Sequence, residues 1–204
     1  MKNLIPLFLS LISGYIFAQC DVQPNQLVTN CAFDSNFTGW TAPAGRGILS
    51  HNNAQGSNAT GSLACVGQAA GAWTWCQPQQ CIDVTPNTMY GAGFDSWLFS
   101  PPNVPGSYPP FVEVRYFEHS NNTCSMSVGG SGVATGSGMT VPMGGFGQTQ
   151  GTLTSGASTE SILMEIRMLN QGGNGPNDVF TGLFDDVFFG IGMTPVELQS
   201  MSVE

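Results

Sequence analysis

Short runs of alternating apolar and polar residues recur along the chain, separated by Gly, Pro, Asn and Ser. In 111–118, Val112, Val114 and Tyr116 share one parity, while Glu113, Arg115 and Phe117 share the other. In 162–168, Ile162, Met164, Ile166 and Met168 oppose Leu163, Glu165 and Arg167. In 88–98, Tyr90, Ala92, Phe94 and Leu98 form the inward set, and Asp95 and Trp97 point the other way. A period of two marks a strand with one buried face. With 27 Gly and 13 Pro, long helices are interrupted before they can form. Strands are expected near 27–33, 62–67, 73–77, 81–84, 88–98, 111–118, 124–128, 148–154, 161–168 and 180–190. Roughly eight to ten short antiparallel strands without helical interludes predict an all-β fold, a jelly-roll β-sandwich. The segments 41–60, 100–110, 129–147 and 170–178, rich in Gly, Pro, Asn or Ser, are expected as loops.

The first residues change the picture of compartment. Lys2 precedes an apolar run from Leu4 to Phe17 and a small residue at Ala18, which describes a secretory signal peptide over 1–18. The run is short for a bilayer span, and no later run approaches one. A lipoprotein cut before Cys20 is the alternative, although Gln19 suits that site poorly. The expected organisation is therefore a leader, one domain over 19–193 and a tail over 194–204. That tail, with its Pro195-Val196-Glu197-Leu198 start, reads either as a frayed end or as the truncated opening of a following Ig-like domain. The product is expected to be secreted or held at the cell surface. Six cysteines in an exported chain predict disulfides. Zinc is disfavoured by the absence of a C-x-x-C pair and by the separation of His51 from His119. Six cysteines allow fifteen complete pairings, of which Cys20–Cys31 is one plausible local bridge.

Charge narrows the partners. The formal net charge is −9, and the cations are Lys2, Arg46, Arg115 and Arg167 alone. No basic patch exists to neutralise phosphates, which argues against nucleic acid and against an anionic membrane surface.

Leu27-Val-Thr-Asn-Cys-Ala-Phe-Asp-Ser-Asn-Phe-Thr-Gly-Trp40 and Phe180-Thr-Gly-Leu-Phe-Asp-Asp-Val-Phe-Phe189 bracket the domain. Cys81-Ile-Asp-Val-Thr-Pro-Asn-Thr-Met-Tyr90 reads as a strand, a Pro turn and a Tyr-led strand, followed by the strands at 111–117 and 161–168. In order and spacing these segments resemble a CenC-type carbohydrate-binding module, a galactose-binding-domain-like β-jelly roll, over about residues 27–190. The resemblance implies a carbohydrate partner. It also implies a calcium ion near Asp34 and Asp185, a structural ion joining the sheet edges. Calcium takes six to eight oxygens, so backbone carbonyls would supply most of them. Asp34 as a turn cap and Asp185 as a solvated edge residue is the rival reading. Phe33 and Trp40 are expected in the core, with Gly39 permitting the close approach before Trp40.

The polar parities give the candidate site. A face carrying Asp95, Trp97, Glu113, Arg115, Glu165 and Arg167 suits a sugar. An aromatic ring stacks on a pyranose, and carboxylates and guanidinium groups pair with vicinal hydroxyls. Trp73 and Trp75 extend such a platform, or else pack at an edge. The rival reading of the charges is a cross-strand ion-pair ladder. On an exposed face, Trp97, Arg115 and Arg167 should each be replaceable without unfolding the domain. No Gly-x-Ser-x-Gly, Cys–His or phosphate-loop pattern is present. The catalytic alternative is a jelly-roll glycoside hydrolase using Glu113 and Glu165. Against it, an Arg two residues after each Glu should hold both carboxylates ionised. A structural or adhesive surface protein is the third class, compatible with low charge and glycine-rich loops.

Overall fold

The long strands separate their two parities as the alternation requires. The computed structural model describes residues 25–53, 61–70, 73–100, 111–135, 139–140, 145–171 and 179–192. The expected leader, Cys20, residues 101–110 of the expected proline-rich loop and the tail lie outside the described residues. The strands are β1 (Ile48–Asn52), β2 (Ser62–Val66), β3 (Gln68–Ala70), β4 (Trp73–Cys76), β5 (Gln79–Asp83) and β6 (Met89–Ser100). They continue with β7 (Phe111–His119), β8 (Ser127–Val133), β9 (Met139–Thr140), β10 (Gly147–Thr154), β11 (Ser161–Gln171) and β12 (Thr181–Ile191). No helix occurs among the described residues.

One sheet runs β1-β2-β12-β6-β10. The other runs β3-β4-β11-β7-β8, with β5 continuing the β4 edge of β11 and β9 pairing with β7. All pairings are antiparallel. This is the jelly-roll β-sandwich. The core between the sheets takes Tyr90, Ala92, Phe94 and Leu98 from β6, and Val112 and Val114 from β7. From β11 it takes Ile162, Met164, Ile166 and Met168, all fully buried. Phe33 and Trp40 are buried in it with ring centroids 5.5 Å apart. Gly39 has φ +91°, and a Cβ there would lie 3.0 Å from Thr29 Oγ1, so the turn before Trp40 requires glycine.

Hydrogen bonds fix the turns. The Tyr90 hydroxyl accepts from the Thr85 N–H at 2.7 Å and donates to the Thr85 carbonyl at 3.3 Å, closing the Pro86-Asn87 turn onto its following strand. Cys65–Cys76 joins β2 of one sheet to β4 of the other. Cys81–Cys124 joins β5 to the segment before β8 across a sequence separation of 43. By restricting the unfolded chain, such bridges contribute a few kcal/mol each. Cys31 is also disulfide-bonded, and no described cysteine is free.

The segment 27–33 departs from the expected strand. It lies along β12, with the Leu27 N–H on the Phe189 carbonyl and the Val187 N–H on the Cys31 carbonyl. Asn30 and Phe33 have φ near +50°, a left-handed geometry that breaks a strand ladder. Strands also occur where loops were expected: β1 inside 41–60, and the glycine-rich β8, whose side chains are mostly exposed.

Candidate functional site

The outer face of the seven-stranded sheet is built around β11 and β7. Their register sets Arg167 opposite Glu113, Glu165 opposite Arg115, and Leu163 opposite Phe117. On the other side of β11, Trp75 lies opposite Leu169 and Gln79 opposite Glu165. Thr74 and Cys76 are buried, so Trp73 and Trp75 turn outward together, their centroids 6.0 Å apart. Phe111 meets Trp73 edge-on at 6.0 Å.

Arginine organises the charges. Arg167 pairs with Glu113 through Nη2 and Oε1, and its Nη1 lies 3.8 Å from Glu165 Oε2. Arg46, from the loop before β1, stacks over Trp75 at 3.9 Å, and Arg167 lies 5.6 Å from the same ring. Arg115 lies over Phe117 at 5.0 Å. Glu113, Glu165 and Arg167 are almost wholly buried, whereas Arg46, Trp75, Arg115 and Phe117 are half-buried. Being on the outer face is therefore not being in solvent, which corrects the expectation that Arg167 can be replaced freely.

Burial shifts the ionisation. It raises the Glu165 carboxyl, against a hydrogen bond from Gln77 and the charges of Arg115 and Arg46, which lower it. The neighbouring arginines do favour the ionised form, as the sequence suggests, but desolvation is the larger effect. Burial, and then the charge of Arg46, lower Arg167 to about 10, still protonated at neutral pH.

Asp95 and Trp97 do not join this face. Both lie on β6, in the five-stranded sheet, and point away from the core on the opposite side of the sandwich. Strand parity identifies an outward side chain but not the sheet its strand enters. Trp97 packs edge-on against Phe99 at 5.4 Å and Phe146 at 5.8 Å. Asp95 lies opposite Asp185 of β12 and Gln148 of β10. Asp34 is exposed, whereas Asp185 is buried with Oδ1 accepting the Asp186 N–H at 2.9 Å. Among the described residues no group of three or more His, Cys, Asp or Glu is placed to hold a metal ion.

Arg46 and Gln77 join the site without having been singled out in the sequence. Arg46 sits in a Gly/Ala-rich stretch with no alternation. Its one signal was scarcity, since it is one of three arginines in the chain.

No protein-family model matches the chain, and no curated protein sequence matches it. Solved structures do. The C-terminal family 22 carbohydrate-binding module of Clostridium thermocellum xylanase 10B superposes with TM-score 0.57 at 11% identity, covering 85% of this chain and 99% of the module. The N-terminal module of that enzyme joined to its xylanase domain, solved with xylohexaose, gives 0.56 at 14% identity. There the match covers 83% of this chain and 29% of the other. The xylan-binding second family 22 module of Paenibacillus barcinonensis xylanase 10C gives 0.52 at 14% identity, covering 79% and 97%. The jelly roll expected from the motifs is thus a fold that this chain shares with those modules.

Proposed function

We propose that this chain is an exported carbohydrate-binding domain that holds a glycan, without catalysis, on the outer face of its seven-stranded sheet. The observation that carries the reading is the gathering of half-buried Trp73, Trp75 and Phe117 beside Arg46 and Arg115 on one sheet face. Rings supply stacking surface, and guanidinium groups supply oriented donors. The structural neighbours named for carbohydrate and xylan binding support the ligand class. The disulfides agree with export of a domain over 19–193.

A glycan array probed with the full chain, followed by hydrolysis assays on every hit, tests this reading. Binding without turnover is expected; turnover abolished by Glu165→Gln would favour the hydrolase. Binding to no glycan would favour a structural or adhesive role. The dissociation constant is expected on the order of micromolar to millimolar. Trp75→Ala and Arg115→Ala should each weaken binding by about 1–3 kcal/mol, through lost stacking or lost donors. Trp97→Ala, on the opposite sheet, should leave affinity unchanged. Titration calorimetry checks all three, and weakening by Trp97→Ala alone would move the site to the five-stranded sheet.

Calcium near Asp34 and Asp185 is part of the proposal as a structural ion only. Exposed Asp34 and buried Asp185 do not form a carboxylate cage, so such an ion would draw mostly on backbone carbonyls of the segment lying along β12. At 100 times its dissociation constant it would add about 2.7 kcal/mol to stability. Chelation is then expected to lower the melting temperature by several degrees, and identical melting curves with calcium and with chelator would remove the ion.

A further inference from the structure

We infer that the outer face of the seven-stranded sheet selects an acidic glycan, one bearing carboxylate or sulfate groups, with Arg46 and Arg115 as the anion contacts. The inference rests on the glycan-binding reading and deepens it.

The first support is the distribution of charge. The chain has a formal net charge of −9, and its arginines number three: Arg46, Arg115 and Arg167. All three are on this face, where they meet two carboxylates, Glu113 and Glu165. Asp83 shares the face further along β11, opposite Ser161, so it is the end of the face around the three arginines that carries one cation more than carboxylates.

The second support is how the arginines are used. In an ion-pair ladder Arg115 would pair with Glu165, which lies directly opposite it in register. Among the described residues, however, ion pairs on this face run only from Arg167. Arg46 and Arg115 instead rest on the rings of Trp75 and Phe117. A guanidinium that rests on a ring rather than in an ion pair keeps N–H donors uncommitted, and guanidinium donors are the groups that grip a carboxylate or sulfate.

The third support is unmet hydrogen bonding. Arg46 Nη1, Trp75 Nε1, Arg115 Nε and Arg167 Nε are buried without a hydrogen-bond partner among the described residues, against a single acceptor, Glu165 Oε2. Buried polar groups are rarely left so. A neutral sugar hydroxyl both donates and accepts, whereas an anionic oxygen only accepts. Four donors against one acceptor match the second chemistry better.

The test compares acidic polymers with their neutral derivatives, using the full chain and titration calorimetry. The probes are glucuronoxylan and polygalacturonate against their carboxyl-reduced forms, and a sulfated galactan against its desulfated form. At least one acidic polymer is expected to bind about tenfold or more tightly than its derivative. The pair that shows it identifies carboxylate or sulfate. Arg46→Gln and Arg115→Gln should each shrink that ratio, while Arg115→Lys, which keeps the charge, should retain part of it. Equal affinity for acidic and neutral forms overturns the acidic preference and leaves the glycan site standing. Binding to none of the polymers, together with a blank glycan array, overturns the glycan site as well. The wild-type comparison decides the matter even where a variant fails to fold.

Discussion

Arg167→Met is expected to cost the domain about 3–5 kcal/mol of unfolding free energy, measured by urea denaturation at neutral pH. The reason is burial. Arg167 pairs with Glu113 and lies beside Glu165, and all three side chains are under a tenth exposed. Methionine keeps an apolar stem beside Trp75 but leaves the buried Glu113 carboxylate without its cation, whereas Glu165 keeps the charges of Arg115 and Arg46. An uncompensated buried charge is costly, whereas loss of an exposed pair is nearly neutral. Glu113→Gln in the Arg167→Met background should recover part of the loss, since a neutral amide tolerates the site better than a carboxylate. The deficit should also shrink in mild acid, where the unpaired carboxylate takes up a proton. A loss below about 1 kcal/mol would mean that solvent reaches this cluster and that it behaves as a surface pair.

The same residue shows where the sequence was legible and where it was not. Alternation in β6, β7 and β11 divides core from outer face correctly, because a one-residue slip would send Ile166 or Val114 to the outside. The Phe33–Trp40 anchor and the Tyr90 turn follow from local chemistry of the same kind. Burial of the outer face does not. Arg167 is covered by neighbours from other elements, among them Trp75 and Arg46, and no local pattern records that cover. Sheet membership is equally hidden. Asp95 has the outward parity of Glu113, yet its strand pairs with β10 and β12 rather than with β11. Edge strand β8 was displaced for another reason: Ser127-Val-Gly-Gly-Ser-Gly-Val133 buries little, so hydrophobic periodicity had nothing to mark.

Asp95→Asn is expected to stabilise the protein at pH 8 by up to about 4 kcal/mol while changing little at pH 4. Asp95 is buried on the outer face of the five-stranded sheet, and its Oδ1 has no hydrogen-bond partner among the described residues. Burial first, and then the charge of Asp186, push its carboxyl from 3.8 up to about 7. The folded protein therefore holds this proton over a range in which the unfolded chain has released it. Its contribution to stability is fully present below about pH 4 and is lost as pH rises through about 7. Asparagine keeps the shape without the ionisation, so the variant should lack this fall. Denaturation curves at pH 4, 6 and 8, recorded with chelator to remove stray cations, measure the difference directly. A variant less stable than wild type at pH 8 would show that the ionised carboxylate is held by a partner. A parallel pair of stability–pH curves would show that Asp95 titrates in the ordinary carboxylate range.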